Sequence, residues 1–450
     1  MSRTTRQLQA PRAVHEIAGK LRRHGHQAWA VGGAVRDVVL GVPATDWDIA
    51  TSARPQDVRS IFRRTVPIGI EHGTVGVLWK DGVMYEVTTF RKDVETDGRH
   101  AVVAFADRIE DDLARRDFTI NALAWDPATT ELYDPYGGLN DIEARVIRTV
   151  GNAKDRFAED YLRVLRALRF AGHLDYTIDE ATWSALQAAT PQLTRLSVER
   201  VREELTKVLQ QTTRASRTLE LYRASSALEV LYPELAATVG VQPSEDGPDV
   251  WTLSLGAVDA VPRHRVRLRL AALLHGIGMP AARTRSLRGG WSYVGHEQIG
   301  ARKTGELLRR LRASNADIEH VEALVRLQSA LFPPDAPDAG VRRWLRDVEP
   351  HRVGDLFRLR FALWRAHPVE RGDRDLCTRW RHAHAVMLGR PVLTTGGLAV
   401  DGGDLKRLGL EPGPRFGEIL GALLERVIEE PELNTRERLV AIIEQELIDR

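Results

Sequence analysis

The spacing of apolar residues divides this chain into two parts. Before about residue 150, short apolar segments separated by glycine, proline and aspartate predict strands mixed with helices. Residues 11–24 carry apolar positions at helical spacing, and residues 27–31 predict a strand that runs into a glycine pair. Residues 74–78 and 83–89 alternate as strands about an Asp-Gly turn, which predicts a hairpin. An α+β segment is therefore expected first.

Beyond about residue 155 the pattern becomes helical and stays so to the end of the chain. Residues 157–172 predict one helix closed by Gly172. Polar side chains recur on it at every third position, at Asp160, Arg163, Arg166 and Arg169. A period of three drifts slowly around a helix, so these residues should form one slanted stripe. A solvated salt-bridge face is the commonest origin of such a stripe, and a binding site is the alternative.

The stretch 31–49 carries the candidate chemistry. Gly32 and Gly33 follow a predicted strand, a short helical segment comes next, and a second strand is predicted to open at Asp46. Glycines let the backbone approach phosphate oxygens closely, and a following helix offers free N–H groups. Alternate residues of a strand share a face, so Asp46 and Asp48 should project together and repel unless a cation lies between them. The stretch predicts a phosphate site beside a Mg²⁺ site.

Four further segments bear on such a site. Glu86 lies in the second hairpin strand, where it either completes the metal site or forms part of a solvated edge. Residues 91–103 are polar and without periodicity, which predicts a mobile loop. Residues 111–117 place acidic and basic side chains directly before an apolar segment, which sets an arginine pair at the rim of the sheet. Residues 134–138 predict a tight structural turn.

Composition narrows the class of protein. The chain has 450 residues, of which 43% are hydrophobic and 28% charged, with a net charge of +2. These values are ordinary for a soluble globular protein of about three domains. No apolar run approaches the ~18 residues of a membrane span, and the N-terminus lacks the apolar core of a signal peptide. The single cysteine, Cys377, excludes an internal disulfide and fits the cytoplasm. The positive charge is nearly all arginine, which favours nucleotides or nucleic acid as partners.

Taken together, the motifs of this chain resemble those of the bacterial class II tRNA nucleotidyltransferases. This polymerase β-like group includes CCA-adding enzymes and bacterial poly(A) polymerases. The motifs are Gly-Gly-Ala-Val-Arg-Asp with Asp-Trp-Asp (32–37 and 46–48), Arg-Arg-Asp-Phe-Thr-Ile-Asn-Ala (115–122), Asp-Pro-Tyr-Gly-Gly (134–138), Glu-Asp-Tyr-Leu-Arg-Val-Leu-Arg-Ala-Leu-Arg-Phe (159–170) and Glu-Arg-Val-Arg-Glu-Glu-Leu (199–205). The resemblance implies an α+β fold: a nucleotidyltransferase head with a mixed sheet, then an all-helical neck, body and tail. The expected divisions are 1–150, 151–215, 216–335 and 336–450.

The resemblance also assigns roles to residues. It implies that Asp46 and Asp48 hold the catalytic Mg²⁺, with Glu86 as a third catalytic carboxylate. It implies nucleotide contacts at Gly32, Gly33, Arg36, Arg116, Asp117, Asp160, Arg163, Arg166 and Arg169. The expected substrates are ATP, CTP and the 3′ end and acceptor arm of tRNA, whose phosphates and shape the helical parts should bind.

The choice of C and A has a chemical basis at Asp160 and Arg163. Both bases present an exocyclic amino group beside an unprotonated ring nitrogen, so a carboxylate accepts from the first and a guanidinium donates to the second. U and G reverse this pattern and would leave polar groups unpaired, at about 1–3 kcal/mol each. The pair therefore favours selection of C and A without a nucleic-acid template.

Which nucleotides are added is a separate question. Within the family a shortened loop accompanies CC-only activity, and the segment 91–103 has full length. This favours complete CCA addition over an A-adding or CC-adding partial enzyme. A poly(A) polymerase comes third, because the long basic extensions expected for that activity are missing.

Two hypotheses come from other classes. One is an RNA-binding protein with an inactive head, which the intact Asp46, Asp48 and Arg116 disfavour. The other is a metal-dependent phosphohydrolase, because the middle region resembles an HD domain. However, Gly276 stands where the aspartate after His275 is expected, and residues 250–253 lack a histidine. Without those ligands a binuclear metal site is not expected, so this region should be a helical scaffold.

Overall fold

The described residues of the computed structural model are 2–96, 101–244, 247–286, 290–367 and 374–447. They form two compact units, Met1–Pro233 and Glu234–Arg450. Among the helices in these ranges, none combines the length and apolar character needed to cross a membrane. Strands and helices are mixed in the first unit, and helices dominate the second.

The first unit is organised around a mixed sheet. Its strands are β1 (Ser2–Thr5), β2 (Ala28–Val31), β3 (Asp48–Thr51), β4 (Thr65–Gly69), β5 (Thr74–Leu78), β6 (Met84–Thr89), β7 (Arg91–Thr96), β8 (Ala101–Phe105), β9 (Ala124–Trp125), β10 (Glu131–Asp134), β11 (Val146–Ile147) and β12 (Thr177–Ile178). Eight of them form one sheet in the order β1-β10-β9-β2-β3-β6-β5-β4. Strand β3 pairs in parallel with β6 and antiparallel with β2, so the sheet is mixed, as predicted.

The helices of this unit follow the predicted apolar spacing. They are α1 (Arg12–Arg23), α2 (Gly33–Val39), α3 (Pro55–Ile61), α4 (Ile109–Ala114), α5 (Gly138–Ala144), α6 (Ala153–Glu159), α7 (Leu162–Leu174), α8 (Glu180–Ala189), α9 (Val198–Gln211), α10 (Ala215–Ala224) and α11 (Ala227–Leu231). The short helix α12 (Pro233–Ala236) begins at the last residue of this unit. Helix α1 contacts β2 and β3 and buries the face formed by Val14, Ile17, Ala18 and Leu21. A core cluster joins Trp29 and Phe90 to Leu113 of α4.

The strand register places two acidic residues side by side. In the parallel pairing of β3 with β6, Asp48 stands opposite Glu86. Paired residues point to the same face of a sheet, so these side chains are neighbours. On its other side Asp48 pairs with Val31, the last residue of β2, from which the chain enters the glycine pair. The sheet therefore brings the glycine pair after β2 and the Asp-Trp-Asp segment before β3 close to Glu86.

The strand predicted to open at Asp46 begins at Asp48 instead. Trp47 is buried, and its Nε1 donates to the carbonyl oxygen of Ala44 at 3.1 Å. This local turn keeps Asp46 outside the sheet and exposed. Strand alternation therefore does not set the direction of Asp46 relative to Asp48, and that part of the prediction is wrong.

The prediction of a loop over 91–103 is also wrong for the residues that the structure describes. Strands β7 and β8 form an antiparallel hairpin apart from the main sheet, and its register shifts between Asp93 and Glu95. Such a shift breaks the two-residue period along a strand, which explains why alternation did not reveal it. Residues 97–100, in the middle of the predicted loop, lie outside the described residues.

The single helix predicted over 157–172 is two helices. Helix α6 ends at Glu159, α7 begins at Leu162, and Asp160 between them is extended, with φ −155° and ψ 106°. The Oδ1 atom of Asp160 accepts the N–H of Leu162 at 3.0 Å, so it satisfies a free donor at the start of α7. The predicted stripe is broken, because Asp160 is off the helix while the three arginines remain on it.

Helix α7 passes through Gly172 and ends at Leu174, before Asp175 in the left-handed region with φ 62°. A Cβ at Gly172 would overlap the Oγ1 atom of Thr218 in α10 and would lie 2.8 Å from its Cα. The glycine is therefore the point where two helix backbones come close together, and the prediction of a helix end there is wrong.

The second unit is built from helices α13 (Val250–Ala260), α14 (Val266–Leu274), α15 (Met279–Ala282), α16 (His296–Arg310), α17 (Asn315–Leu327), α18 (Asp338–Val348), α19 (Pro350–Ala366), α20 (Arg374–Leu388), α21 (Gly402–Arg407), α22 (Pro414–Glu429) and α23 (Arg436–Ile442). Helix α13 packs on α14 and α19, and α16 packs on α17. Strands β13 (Thr284–Arg285) and β14 (Trp291–Ser292) form a short antiparallel pair. Apart from this pair, the described part of the unit is helical, as predicted.

Replacement of Gly172 by alanine is expected to destabilise the first unit by about 2–3 kcal/mol, because the added methyl group forces α7 and α10 apart. Urea unfolding followed by circular dichroism measures this change. The matched control is Gly19→Ala in α1, where a Cβ meets only Arg23 Nη1 at 3.6 Å. That variant should be neutral or up to about 1 kcal/mol more stable. Equal unfolding midpoints for the two variants would contradict the close approach.

Candidate functional site

A cavity of about 320 Å³ lies in the first unit over the face of the sheet that carries Asp48 and Glu86. Five arginines and five acidic residues line it: Arg91, Arg115, Arg116, Arg163, Arg166, Asp48, Glu86, Asp112, Asp117 and Asp160. Seven of these are residues that the sequence assigned to a site. The tertiary structure therefore brings together segments of the chain that are more than one hundred residues apart.

Among the described residues, Asp48 and Glu86 differ from the other acids of the cavity in forming no ion pair. Among the described residues, Asp112 pairs with Arg116, Asp117 with Arg166 and Asp160 with Arg200. Within the described part of the chain, no arginine, lysine or histidine lies within ion-pair distance of Asp48 or Glu86. Burial raises the pKa of Asp48 to about 6, the guanidinium of Arg116 opposes this shift, and the charges of Asp46 and Glu86 add to it. Around Asp48 and Glu86 the cavity therefore carries negative charge that no ion pair among the described residues balances.

This charge fits a divalent cation, which prefers carboxylate oxygens. Asp48 and Glu86 offer two such ligands, and Asp46 is close enough for its charge to affect the pKa of Asp48. Among the described residues, no group of three or more Asp, Glu, His or Cys side chains is positioned to hold a metal ion. Asp46 is exposed and is not among the residues that line the cavity. The structure thus brings Asp48 and Glu86 together, whereas Asp46 lies outside the cavity lining, and the magnesium site stays a prediction.

Gly32 lies directly against this point. It has φ 77° and ψ −141°, a conformation that only glycine adopts readily. A Cβ there would lie 2.7 Å from Arg116 Nη1 and 3.9 Å from an Oδ atom of Asp48. Gly33 has no such constraint, because its Cβ would meet only Arg36 Nη2 at 3.6 Å. The first glycine of the pair is therefore required for the guanidinium of Arg116 to approach the backbone beside Asp48.

Asp117 fixes the arginine at the opposite side of the cavity. Its Oδ2 accepts from Nε and Nη2 of Arg166, both at 2.7 Å. Its Oδ1 accepts from the Asn121 side chain at 3.1 Å and from the N–H of Phe118. Burial alone would raise the pKa of Asp117, but Arg166 and the Asn121 hydrogen bond lower it to about 2. Asp117 was predicted to bind nucleotide, and the structure shows it holding Arg166.

Asp160 and Arg163 both line the cavity, each with a protein partner. The Oδ2 of Asp160 accepts from Arg200 Nη2 at 2.7 Å. Arg163 donates through Nη1 to Glu159 at 2.5 Å and to the Arg156 carbonyl at 3.0 Å, and through Nη2 to the Arg115 carbonyl at 2.9 Å. A guanidinium has five N–H donors, so Nε–H and one Nη2–H of Arg163 keep capacity for another acceptor. The predicted base-reading pair is brought to the cavity with hydrogen-bonding capacity left.

Two predicted nucleotide contacts are placed elsewhere. Arg36 is buried, with Nη1 donating to Asn121 at 2.7 Å and Nε to Asp37 at 2.8 Å. Arg169 is buried in an ion pair with Glu204 at 2.7 Å. Neither lines the cavity. Both guanidinium groups, together with that of Arg166, lie 4.3–5.3 Å from the ring centre of Phe170. This arrangement suits support of the cavity wall rather than contact with a ligand.

Sequence reasoning missed several residues of the cavity. Arg91, Arg115, Asp112, Thr74 and Thr88 line it without having been assigned to a site. The acidic-basic cluster at 111–117 was a signal for two of them. Thr74 and Thr88 are hydrogen bonded to each other at 3.0 Å across β5 and β6, and nothing in the local pattern marks them. Arg200, which holds Asp160, was part of a quoted motif but received no role.

Comparison with known proteins agrees with this geometry. A family model described as "Poly A polymerase head domain" matches residues 28–148, and one described as "Probable RNA and SrmB-binding site of polymerase A" matches residues 175–238. A CCA-adding enzyme of Geobacillus stearothermophilus is 35% identical over 428 residues, which covers 94% of each chain. This chain belongs to the CCA-adding enzyme and poly(A) polymerase family. The predicted resemblance is confirmed.

Other members of the CCA-adding enzyme family support the same assignment. A CCA-adding enzyme of Streptococcus pyogenes is 48% identical over 195 residues, or 43% of this chain and 48% of that one. The structure of a Bacillus stearothermophilus CCA-adding enzyme in complex with CTP has a TM-score of 0.73 and 32% identity, covering 96% of both chains. A Thermotoga maritima CCA-adding enzyme complexed with tRNA shares the fold, with a TM-score of 0.56 and 19% identity. The predicted α+β fold is confirmed.

Gly276 stands where the resemblance to an HD domain predicted an aspartate. A Cβ at Gly276 would overlap Cγ1 of Val250 in α13, so a longer side chain there would require Val250 to move. His275 is buried, and its Nδ1 lies 2.9 Å from the Ala272 carbonyl and 3.3 Å from Ser254 Oγ. Gln328 donates to its backbone carbonyl at 2.7 Å. These are the contacts of a packed core histidine, and the absence of phosphohydrolase activity stays a prediction.

His275 should make the stability of the second unit depend on pH. Burial lowers its pKa to about 4 from an ordinary 6.5. Between these values the unfolded chain binds a proton that the folded chain does not. The contribution of neutral His275 to the free energy of unfolding is therefore complete above pH 6.5. It is lost as the pH falls towards 4, and the total loss is about 3 kcal/mol. Urea unfolding at pH 7.5 and pH 4.5 should show a steeper loss for the parent protein than for His275→Gln. Parallel pH profiles of the two proteins would contradict this assignment.

Proposed function

We propose that this protein is a CCA-adding tRNA nucleotidyltransferase, which adds CMP and AMP to tRNA 3′ ends without a nucleic-acid template. One observation carries the proposal: a single cavity combines an unbalanced carboxylate pair, Asp48 and Glu86, with five arginines and with Asp160 beside Arg163. Acids without partners suit a metal ion, and arginines suit phosphates. The relatives supply the substrates, since the similar structure at 32% identity holds CTP and the full-length relatives are named CCA-adding enzymes.

In the proposed reaction, the 3′ hydroxyl oxygen of the RNA attacks the α-phosphorus of the nucleotide. The new oxygen–phosphorus bond forms as the bond from the α-phosphorus to its bridging oxygen breaks. The β- and γ-phosphates leave together as pyrophosphate, and the hydroxyl proton is released to water. Asp46, Asp48 and Glu86 would hold Mg²⁺, which lowers the pKa of an attacking hydroxyl and neutralises a leaving phosphate. Arg116 would contact phosphate oxygens beside Gly32, where the backbone leaves room for it. The main contribution of the chain is to position two substrates and to balance their charge.

Asp160 and Arg163 would recognise the base. Each carboxylate oxygen of Asp160 accepts one hydrogen bond from the protein, which leaves lone pairs for the amino group of C or A. Arg163 keeps two donors for the neighbouring ring nitrogen. Arg166, held by Asp117, supports the same wall. Arg36 and Arg169 act as positioning residues in this proposal, because their guanidinium groups are already paired and buried.

The remaining assignments rest on the family. We propose a catalytic head (1–150), a neck (151–215), a body (216–335) and a tail (336–450), and the first compact unit contains the proposed head and neck. The helices of neck, body and tail would bind tRNA mainly through its phosphates and shape. We place the activity in the cytoplasm, in line with the single free cysteine, Cys377.

Transcripts of one tRNA that end before CCA, after C or after CC test the function directly. Each is incubated with Mg²⁺ and with CTP, ATP or both, and the products are sequenced. A CCA-adding enzyme extends all three and stops after A. Extension of only the transcript that ends in CC would indicate an A-adding enzyme, and unlimited A addition would indicate a poly(A) polymerase. Asp48→Asn should lower incorporation by a factor of at least about 10³. Full activity of that variant would refute the site.

Asp160→Ala tests base recognition separately from chemistry. Loss of the acceptor should lower the preference for CTP and ATP over UTP and GTP by a factor of about 10–100, corresponding to about 1–3 kcal/mol. Competition between labelled nucleotides on one transcript measures this ratio. The control is Glu180→Ala, an exposed residue that begins α8 and does not line the cavity. Unchanged selectivity in Asp160→Ala would discard its role in reading the base.

A further inference from the structure

A second cavity, of about 560 Å³, lies on the other side of the sheet from Asp48 and Glu86. In β5, Gly76 pairs with Glu86, whereas the next residue, Val77, pairs with Tyr85 and lines the second cavity. Successive residues of a strand point to opposite faces, so this cavity opens away from the catalytic side. We call it the α1–α3 groove, because its walls are α1, the segment after α3, and the turn after β5. It shares no lining residue with the first cavity.

The α1–α3 groove is strongly basic. Five cationic residues line it, Lys20, Arg23, Arg63, Arg64 and Lys80, against one acid, Glu16. The carboxylate of Glu16 is already bound by Arg12 at 2.7 Å. In the described part of the chain, Arg63 and Arg64 make no ion pair, and both are exposed. Clustered arginines without acidic partners repel one another, so an anionic ligand would stabilise this surface.

An aromatic side chain stands in the middle of these cations. Trp79 is half-buried, and its ring packs edge-on against the buried Phe62, with ring centres 6.1 Å apart. Lys80 Nζ lies 5.6 Å from the ring centre of Trp79, and Lys20 Nζ lies 5.0 Å from that of Phe62. Lys20 also donates to the carbonyl of Ile61 at 2.5 Å, which fixes it beside the end of α3. The indole is thus held by its buried side while part of it remains open to solvent.

We propose that the α1–α3 groove binds single-stranded RNA, with Arg63 and Arg64 contacting successive phosphates and Trp79 stacking on a base. A positive groove interrupted by an aromatic ring is the arrangement that proteins use for single strands without sequence preference. The volume is in the range of pockets that accept a small ligand, which admits about one nucleotide unit of a longer strand. An acidic peptide would bind the lysine and arginine side chains but would offer no base to stack on the indole ring of Trp79. A strand held here is on the opposite face from the reacting groups, so it is not the 3′ end under extension.

The experiment measures RNA binding by the full chain, without any nucleotide addition. The probe is a fluorescein-labelled 12-nucleotide RNA of mixed sequence that ends in a 3′ phosphate, and the readout is fluorescence anisotropy over a range of salt concentrations. Arg63→Ala/Arg64→Ala should weaken binding at least tenfold and reduce the salt slope by about 1.4, or 0.7 for each lost phosphate contact. Trp79→Ala should weaken binding about fivefold or more, and Trp79→Phe should restore most of the loss.

The matched control is Arg6→Ala/Arg108→Ala, which removes two exposed charges from the same unit outside the groove and outside the proposed neck. Its affinity should stay within twofold of the parent. Equal binding by the parent, the double arginine variant and Trp79→Ala would overturn the proposal. Displacement of the RNA by polyglutamate at equal charge concentration would indicate a general anion surface and also overturn it. If millimolar ATP displaces the RNA, and this displacement requires Trp79, the groove is a site for free nucleotides instead. Because no step requires catalysis, an inactive catalytic cavity would leave these results interpretable.

Discussion

The ion pair between Asp117 and Arg166 joins the sheet of the first unit to the helix that carries the arginine-rich motif. Asp117 is buried and Arg166 is half-buried. A buried charge such as that of Asp117 is tolerated only when it is paired and hydrogen bonded. The pairing has consequences on each side. The backbone carbonyl of Asp117 accepts from Val150, and the preceding Arg116 reaches Gly32. On α7, Arg166 lies over Phe170, whose ring packs edge-on against Phe118 with centres 5.8 Å apart. This pair therefore fixes the part of the cavity wall formed by Arg116, Asp117 and Arg166.

The acids of the cavity differ in whether an arginine compensates their charge. Asp112, Asp117 and Asp160 each have an arginine partner, and Arg169 is matched by Glu204 behind the wall. Asp48 and Glu86 have none among the described residues, although burial raises the pKa of Asp48 to about 6. Asp48 is half-buried and Glu86 is exposed to the cavity. Neighbouring carboxylates repel one another, and a cation bound between them removes this repulsion. This contrast supports the magnesium assignment better than the Asp-Trp-Asp motif does, because it depends on what surrounds each side chain.

The two faces of the sheet have different chemistry. On one face, acids and arginines are nearly balanced and largely paired with each other, which suits a site that binds a charged substrate together with its metal. On the other, the α1–α3 groove carries an excess of positive charge around a partly open indole. A sheet keeps its two faces apart because alternate residues point in opposite directions. Neighbouring residues of β5, Gly76 and Val77, therefore belong to different surfaces, and each surface can change without disturbing the other.

The sequence alone determined which segments are strands and helices where periodicity is strong, as in α1 and the β5–β6 hairpin, and its motifs identified the family. It also named Asp48, Glu86, Arg116, Asp160 and Arg163, all of which line the cavity. Local pattern did not show the break at Asp160, the β7–β8 hairpin or the role of Gly172. The spacing of apolar residues does not record the causes of these features. Asp160 accepts the N–H of Leu162 and pairs with the distant Arg200, the hairpin has a shifted register, and Gly172 lies against Thr218. The spacing of apolar and polar residues predicts the face of a helix or strand on which a residue lies. Only the tertiary structure determines which residues it contacts on that face. That is why motif alone did not show that Arg36 and Arg169 are buried and already paired with Asn121 and Glu204.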